Sequence, residues 1–260
     1  MTSVWVVLPT YDERENLPAV VALARAALAS CDPPVDGTLL VVDDASPDGT
    51  GILADHLARL HGDVRVHHRS GKGGLGGAYL AGFSEALARG ADLVIEMDAD
   101  LSHDPADLPR LIEAARRGAD VVLGSRYLPG GGVRGWSLHR RLLSRAGGRY
   151  AAAVLGLPYT DLTGGFKCFR AGALRALDGD LVHSRGYAFQ IELTYEAARR
   201  GLAITEIPIV FREREHGKSK MSLAIAFEAM WRVPLMRLTA PPGGARRRAS
   251  LRLSNGTLVG

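Results

Sequence analysis

The chain is short of several things. Only two of its 260 residues are cysteine, Cys31 and Cys168. They cannot make a disulfide framework and neither belongs to a C-x-x-C pair, so they read as incidental residues of a reducing compartment. Long apolar runs are missing too. A membrane span needs roughly eighteen such residues, and the nearest run, Met221 to Ala240, is broken by Glu228, Arg232, Pro234 and Arg237. The start, Met1-Thr2-Ser3 ahead of Val4-Trp5-Val6-Val7-Leu8, lacks the basic and long apolar regions of a signal peptide and reads as a first core strand. Aromatic residues make up only 6% of the chain, and Trp136 and Trp231 both flank basic segments. The formal net charge of +4 is small but uneven: Arg134, Arg140, Arg141, Arg145 and Arg149 share one stretch, and Arg246, Arg247 and Arg248 another. Such clusters suit phosphates on a nucleotide, a lipid or a membrane, with a solvated helix face as the plainer reading. No internal repeat is visible.

What remains is an ordinary globular composition, 47% hydrophobic and 23% charged, long enough to bury one sizeable core. Short apolar runs alternate with helical patterns, which predicts an α/β fold with a mostly parallel sheet. Strands are expected at Val4–Leu8, Thr38–Val42, Val64–His67, Leu93–Met97 and Val121–Leu123. Helices are expected at Glu15–Ala29, Thr50–His61, Gly77–Ala88 and Asp107–Arg117. Beyond Ser125 the pattern loosens: a Gly-rich loop at Pro129–Gly132, a helix from Ser137 to Leu155, a short strand at Thr163–Arg170, a helix at Phe189–Arg200 and a last strand at Ile204–Phe211. The Pro-, Gly- and Arg-rich tail from Pro241 is expected to be disordered.

The motifs fall where ligands of open α/β sheets bind, past the carboxyl ends of strands. Met97-Asp98-Ala99-Asp100 ends a buried strand with two carboxylates one residue apart, and such a pair can hold one hard cation together with substrate phosphates. An acidic turn capping the next helix is the alternative. Val42-Asp43-Asp44 ends another strand, and Asp44 can accept from a nucleobase ring N–H and amine. Asp48-Gly49-Thr50 reads as a structural turn. After the first strand, Pro9 can stiffen a pocket wall while Tyr11 and Glu13 offer polar contacts to a base or ribose, or the segment is simply a polar turn with acids at a helix N-terminus. Arg126, in Gly124-Ser125-Arg126-Tyr127, points to the same edge as the carboxylates. Arg141, Arg145 and Arg149 recur every fourth residue on one helical face beside Arg140.

Gly71-Lys72-Gly73-Gly74-Leu75-Gly76 matches the dinucleotide fingerprint G-x-G-x-x-G, with Glu96 about 20 residues on. It follows the third strand rather than the first, behind a polar His68-Arg69-Ser70. The glycines are better read as letting backbone pass close to a nucleotide, with Lys72 nearby. Gly217-Lys218-Ser219 lacks the upstream glycine of a P-loop. Asp161-Leu162-Thr163-Gly164-Gly165 is an acid before a turn open to a sugar, or simply a turn. The cation-rich Phe211–Met221 is a loop able to close over a diphosphate, or simply an exposed loop.

In combination and order these motifs resemble the dolichol-phosphate (polyprenol-phosphate) mannosyltransferases of the GT-A glycosyltransferases. The resemblance runs from Val4 to Met221 and rests on Pro9–Glu13, Val42–Asp48, Met97–His103, Gly124–Tyr127, Trp136 with Arg140 and Ser144, Asp161–Phe166 and His216–Lys220. It implies a GT-A domain over 1–220, an amphipathic interfacial helix over 221–240 and a basic tail over 241–260. By resemblance Pro9, Tyr11, Glu13, Asp44, Lys72 and Ala99 line the nucleotide pocket, with Arg214 and Lys220 over the diphosphate. Asp98 and Asp100 take Mg²⁺ or Mn²⁺, and Ser102 stands where some relatives carry a Gln ligand. Arg126, Arg140 and Ser144 hold the acceptor phosphate, and Asp98, Asp100 and Arg126 carry the chemistry. The implied reaction is inverting transfer of mannose from GDP-mannose to a polyprenyl phosphate on the cytoplasmic face of a membrane. The protein would sit there peripherally, with room for a membrane-anchoring partner subunit and no role for nucleic acid. The rivals are another sugar, such as glucose from UDP-glucose, a nicotinamide oxidoreductase, and an inactive nucleotide-sugar-binding subunit.

Overall fold

The computed structural model describes residues 1–71, 73–177, 187–213 and 231–238. Lys72, Arg214, Lys220, most of the expected interfacial helix and the tail from Pro241 lie outside them.

The first strand, β1 (Thr2–Thr10), pairs in parallel on one side with β2 (Val35–Asp43) and on the other with β4 (Leu93–Glu96). All three are buried on both faces through runs of Val, Leu and Ile, the composition of a parallel sheet covered by helices. With β3 (Val64–His68), β5 (Val121–Ser125), β7 (Lys167–Arg170) and β8 (Ile204–Pro208) they form a seven-stranded sheet in the order β3-β2-β1-β4-β7-β5-β8. One face is covered by α1 (Leu17–Ala29), α2 (Thr50–Leu60) and α4 (Leu108–Arg116), the other by α3 (Leu75–Ala88), α6 (Ala171–Leu177) and α7 (Tyr187–Arg199). Each fully buried Val or Leu of these two cores contributes about 1.5–3 kcal/mol.

Local chemistry sets the starts and stops. Pro18 lies in the first turn of α1, where its missing N–H costs nothing. Asp48 accepts from the Thr50 N–H and hydroxyl while Gly49 takes a left-handed φ of +87°, so Asp48-Gly49-Thr50 is the helix-entry turn the sequence indicates. The helix α5 (Leu138–Leu155) stops at Gly156, left-handed at φ +69°. Its far end packs Ala151 and Leu155 against Ile191 and Tyr195 of α7 and Val233 of a helix at 231–238.

Three features depart from the sequence reading. The expected strand at Thr163–Arg170 shortens to β7 and runs antiparallel between β4 and β5. The expected last strand divides at Ile209: β8 stays in the main sheet, while β9 (Val210–Arg212) leaves to pair with β6 (Gly132–Arg134). Ile209 donates its N–H to Ser125 and accepts from Gly132, bridging the two sheets. Gly132 therefore ends in a strand rather than a loop, because β9 supplies the backbone partners its own segment lacks. The short α6 was not anticipated at all.

Candidate active site

The carboxyl ends of β1, β2, β4 and β5 open on one edge. Three non-glycine residues there have positive φ: Asp12 at 58° after β1, Ala45 at 56° after β2 and Leu101 at 62° after β4. Strained backbone of this kind gathers where side chains must be aimed.

Past β2 the two carboxylates divide their work. Asp43 accepts from Thr10 Oγ1 at 3.0 Å and from the Ser46 N–H and hydroxyl, fastening β2 to its turn. Asp44 is buried, one oxygen paired with the Arg69 guanidinium and the other taking the Gly73 N–H at 3.0 Å. A Cβ on Gly73 would overlap that guanidinium, and one on Gly77 would lie 2.9 Å from it. The glycine-rich run thus makes room for Arg69. It follows β3, an edge strand of the sheet, not the central strand from which a dinucleotide loop springs. Across the opening, Pro9 and Tyr11 are partly exposed. Glu13 is buried, accepting from the Asn16 amide at 2.8 Å and donating its N–H to Thr50 Oγ1 at 3.0 Å.

Past β4, Asp98 keeps 29% of its side chain exposed, and its Oδ1 accepts from the Tyr79 hydroxyl at 3.0 Å. Its N–H is received by Nδ1 of buried His103 at 3.1 Å. That nitrogen therefore carries no proton, and burial, opposed by Asp98 and Asp100, holds the imidazole below its ordinary pKa. Asp100 is buried and closes a tight turn by taking the Ser102 N–H at 3.0 Å. The Ser102 hydroxyl is buried with no partner among the described residues, and the Ala99 methyl belongs to the core. Two carboxylates and an unsatisfied hydroxyl form an all-oxygen set that suits Mg²⁺ or Mn²⁺. No three acidic, His or Cys side chains among the described residues make a complete cage, so a bound ion would complete its shell with oxygens from water or a substrate phosphate.

Beneath this edge lies a buried polar cluster that the sequence reading did not assign. Antiparallel pairing sets Lys167 opposite Glu96. The Lys167 ammonium donates to the Gln190 carbonyl at 2.7 Å and Thr194 Oγ1 at 3.0 Å. Burial pushes the Glu96 carboxyl from its ordinary 4.5 up to about 8, although Lys167 and the Gln190 amide oppose the rise. Neither Glu96 oxygen meets a partner at hydrogen-bond geometry among the described residues. Burial likewise brings Lys167 down to about 8. Burial and the charges of Asp98 and Glu96 hold the Tyr79 phenol well above its ordinary value, so it acts as a donor.

Past β5, buried Arg126 forks onto Asp161 through Nε at 2.7 Å and Nη2 at 2.8 Å, and reaches Thr163 Oγ1 at 2.7 Å. Burial works against the Asp161 carboxylate, but the Arg126 charge and hydrogen bonds outweigh it and lower its pKa. Trp136 lies between the two arginines, Arg126 5.6 Å and Arg140 4.2 Å from its ring. Arg140 also pairs with Glu213 at 2.9 Å, and Ser144 accepts from the Tyr127 hydroxyl at 2.7 Å. A run of aromatic contacts, His103 to Phe211 at 5.3 Å and Phe211 to Trp136 at 5.3 Å, joins this cluster to the Asp98 turn.

The model of the family described as Glycosyl transferase family 2 matches residues 5–178. The chain belongs to glycosyl transferase family 2. Among its relatives in this family is an undecaprenyl-phosphate mannosyltransferase of Micrococcus luteus, 49% identical over 94% of this chain and 98% of that one. A polyprenol monophosphomannose synthase of Mycolicibacterium smegmatis is also 49% identical, over 88% of this chain and 84% of the relative. Among solved structures, glucosyl-3-phosphoglycerate synthase from Mycobacterium tuberculosis, with Mn²⁺, UDP-glucose and phosphoglyceric acid, superposes with a TM-score of 0.63 at 23% identity. That match covers 92% of this chain and 81% of the other, and it shows the shared GT-A fold.

Within this family 2 site the structure brings Asp98, Asp100 and Ser102 together in one turn and Arg126 and Arg140 around one indole. It sets Asp44 against Arg69. Sequence reasoning missed Tyr79, Arg69, Lys167 and Gln190 as parts of the site. For Arg69 a signal existed, since glycines follow it at the fourth and eighth positions. Tyr79 offered none beyond being an aromatic in a glycine-rich helix.

Proposed function

We propose that the chain transfers mannose from GDP-mannose to a polyprenyl phosphate, inverting the anomeric carbon, with Mg²⁺ or Mn²⁺ held by Asp98, Asp100 and the Ser102 hydroxyl. The observation that carries this reading is the joining of the Asp98–Asp100 turn, through His103 and Phe211, to the Arg126–Trp136–Arg140 cluster at the root of α5. A carboxylate pair serves a donor diphosphate, and arginines beside it serve an anionic acceptor. The two mannosyltransferase relatives supply the sugar and the lipid class.

The nucleoside half of the site is Pro9, Tyr11, Glu13 and Asp44. A guanine ring N–H and amine would take the places on Asp44 that Arg69 and the Gly73 N–H now fill. The bound cation would neutralise charge building on the departing diphosphate. Arg214 and Lys220 are assigned to the same diphosphate from the sequence, and Lys72 to the nucleotide. Asp161 fixes the plane of Arg126, so the guanidinium meets the acceptor in one orientation. The acceptor, with a second pKa of about 6 if it behaves as other phosphomonoesters do, is already ionised at neutral pH, so no residue here must act as a general base. The work of Arg126, Arg140 and Ser144 is to hold the phosphate in line with the donor.

The lipid half is α5 with the helix at 231–238. Leu138, Leu142 and Leu143 are exposed on α5, and Trp231, Leu235 and Leu238 on the second helix, with Arg141, Arg145 and Arg149 among them. Exposed leucines and tryptophan among arginines form a surface for anionic lipid. No described helix is long and apolar enough to cross a membrane. On this reading the protein works peripherally on the cytoplasmic face.

The test is transfer of labelled mannose from GDP-mannose to an extractable polyprenyl phosphate, with Mg²⁺, with Mn²⁺ and with EDTA. Lipid label that needs the metal is expected. Label from UDP-glucose instead would overturn the sugar assignment, and label unaffected by EDTA would overturn the metal.

A further inference from the structure

Asp98 is pinned at two points. Its N–H is held by His103 Nδ1 at 3.1 Å and its Oδ1 by the Tyr79 hydroxyl at 3.0 Å. The second contact comes from α3, the helix that precedes β4, and glycines on that helix explain how the phenol arrives. A Cβ on Gly82, one turn after Tyr79, would overlap Val7 and stand 3.2 Å from Val42. A Cβ on Gly76, one turn before it, would lie 3.0 Å from the Phe189 ring. The helix is therefore pressed onto β1 and β2 at one end and onto α7 at the other. Between these points Tyr79 is fully buried, its ring parallel to Phe189 at 6.4 Å with an interplanar angle of 1° and stacked on Phe83 at 6.0 Å. A ring clamped on both sides puts its hydroxyl at one place.

We propose that Tyr79 is a positioning residue that fixes the Asp98 carboxylate in its metal-binding rotamer. The inference rests on the reading of Asp98 as a metal ligand. Ordering an aspartate side chain on metal binding costs conformational entropy, and the phenol bears part of that ordering in advance. A tyrosine kept only for packing would tolerate loss of its hydroxyl with no effect on the ion.

The experiment titrates Mn²⁺ into the full chain with GDP present, following free Mn²⁺ by its electron paramagnetic resonance signal. It compares wild type with Tyr79→Phe, Phe83→Leu and Asp98→Ala, each also melted thermally. Tyr79→Phe keeps the ring and is expected to weaken Mn²⁺ about tenfold, the scale at which outer-shell partners act, with little change in melting. Phe83→Leu loosens the same stack while keeping the hydroxyl, and is expected to lower the melting temperature but leave Mn²⁺ affinity near wild type. Wild-type Mn²⁺ affinity in Tyr79→Phe, with Asp98→Ala abolishing binding, overturns the positioning role and spares the ligand assignment. Equal weakening in both ring variants also overturns it, as a packing effect. Unchanged binding in Asp98→Ala removes the ligand assignment and this inference with it.

Discussion

Glu96, two residues before Asp98, is wholly buried beside a lysine that is buried as well. An acid whose pKa rises on folding keeps a proton that the unfolded chain releases, so stability falls as pH climbs between the two values. For Glu96 that window runs from about 4.5 to about 8. Lys167, lowered to about 8, keeps its charge below that point and adds no slope there. Glu96→Gln removes the titration and keeps the shape of the neutral acid. Denaturant unfolding should show the variant gaining on wild type across the window, at up to about 1.4 kcal/mol per pH unit. Parallel stability curves would mean that the buried carboxyl is already ionised. At this scale the sequence showed Asp98, Asp100, Asp44 and Arg126 plainly, because each stands at the end of an apolar strand. It did not show Tyr79, Arg69 or Gln190, whose relevance is a contact made across 19 or more residues of chain or between faces of the sheet.

Among the elements, β1 to β5 were legible because parallel, doubly buried strands are continuous apolar runs. Strand direction was not, since alternation and hydrophobicity read the same both ways; only the fold inserts β7 antiparallel beside β4. The start of β7 was not legible either, since the strand begins with a buried lysine, and the split at Ile209 depends on β6 as a partner far away in sequence. The helix α5 was legible as a helix, but the exposure of its leucines was not, because they look like core until packing leaves them outside. Only Gly148, Ala151 and Leu155, toward its end, are buried. If that face rests on lipid, Leu138→Ser with Leu142→Ser should reduce co-sedimentation with anionic vesicles. The effect should be strongest at high salt, where the arginines are screened, and the melting temperature should hold because both side chains are exposed. Undiminished vesicle binding would place the contact elsewhere.

For the molecule as a whole, if the edge formed by four strand ends binds one nucleotide, its occupation should be visible in global stability. A ligand at about 100 times its Kd adds about 2.7 kcal/mol, which for a chain of this size raises the melting temperature by several degrees. GDP with Mn²⁺ should give that shift and UDP with Mn²⁺ a smaller one, while GDP with EDTA should lose most of it. Equal shifts for both nucleotides would remove the guanine preference assigned to Asp44.

The sequence by itself determined the class of fold and the position of the acidic and basic motifs on one edge, because hydrophobic periodicity and the strand-end rule are local properties of the chain. It also carried the ordered set of motifs by which its family is recognisable. Only the tertiary structure decided that Arg69 pairs with Asp44, that Asp161 holds Arg126 and that Tyr79 reaches Asp98. Those are meetings between separate elements, set by how closely glycines let helices approach the sheet and by an antiparallel strand that no local pattern announces.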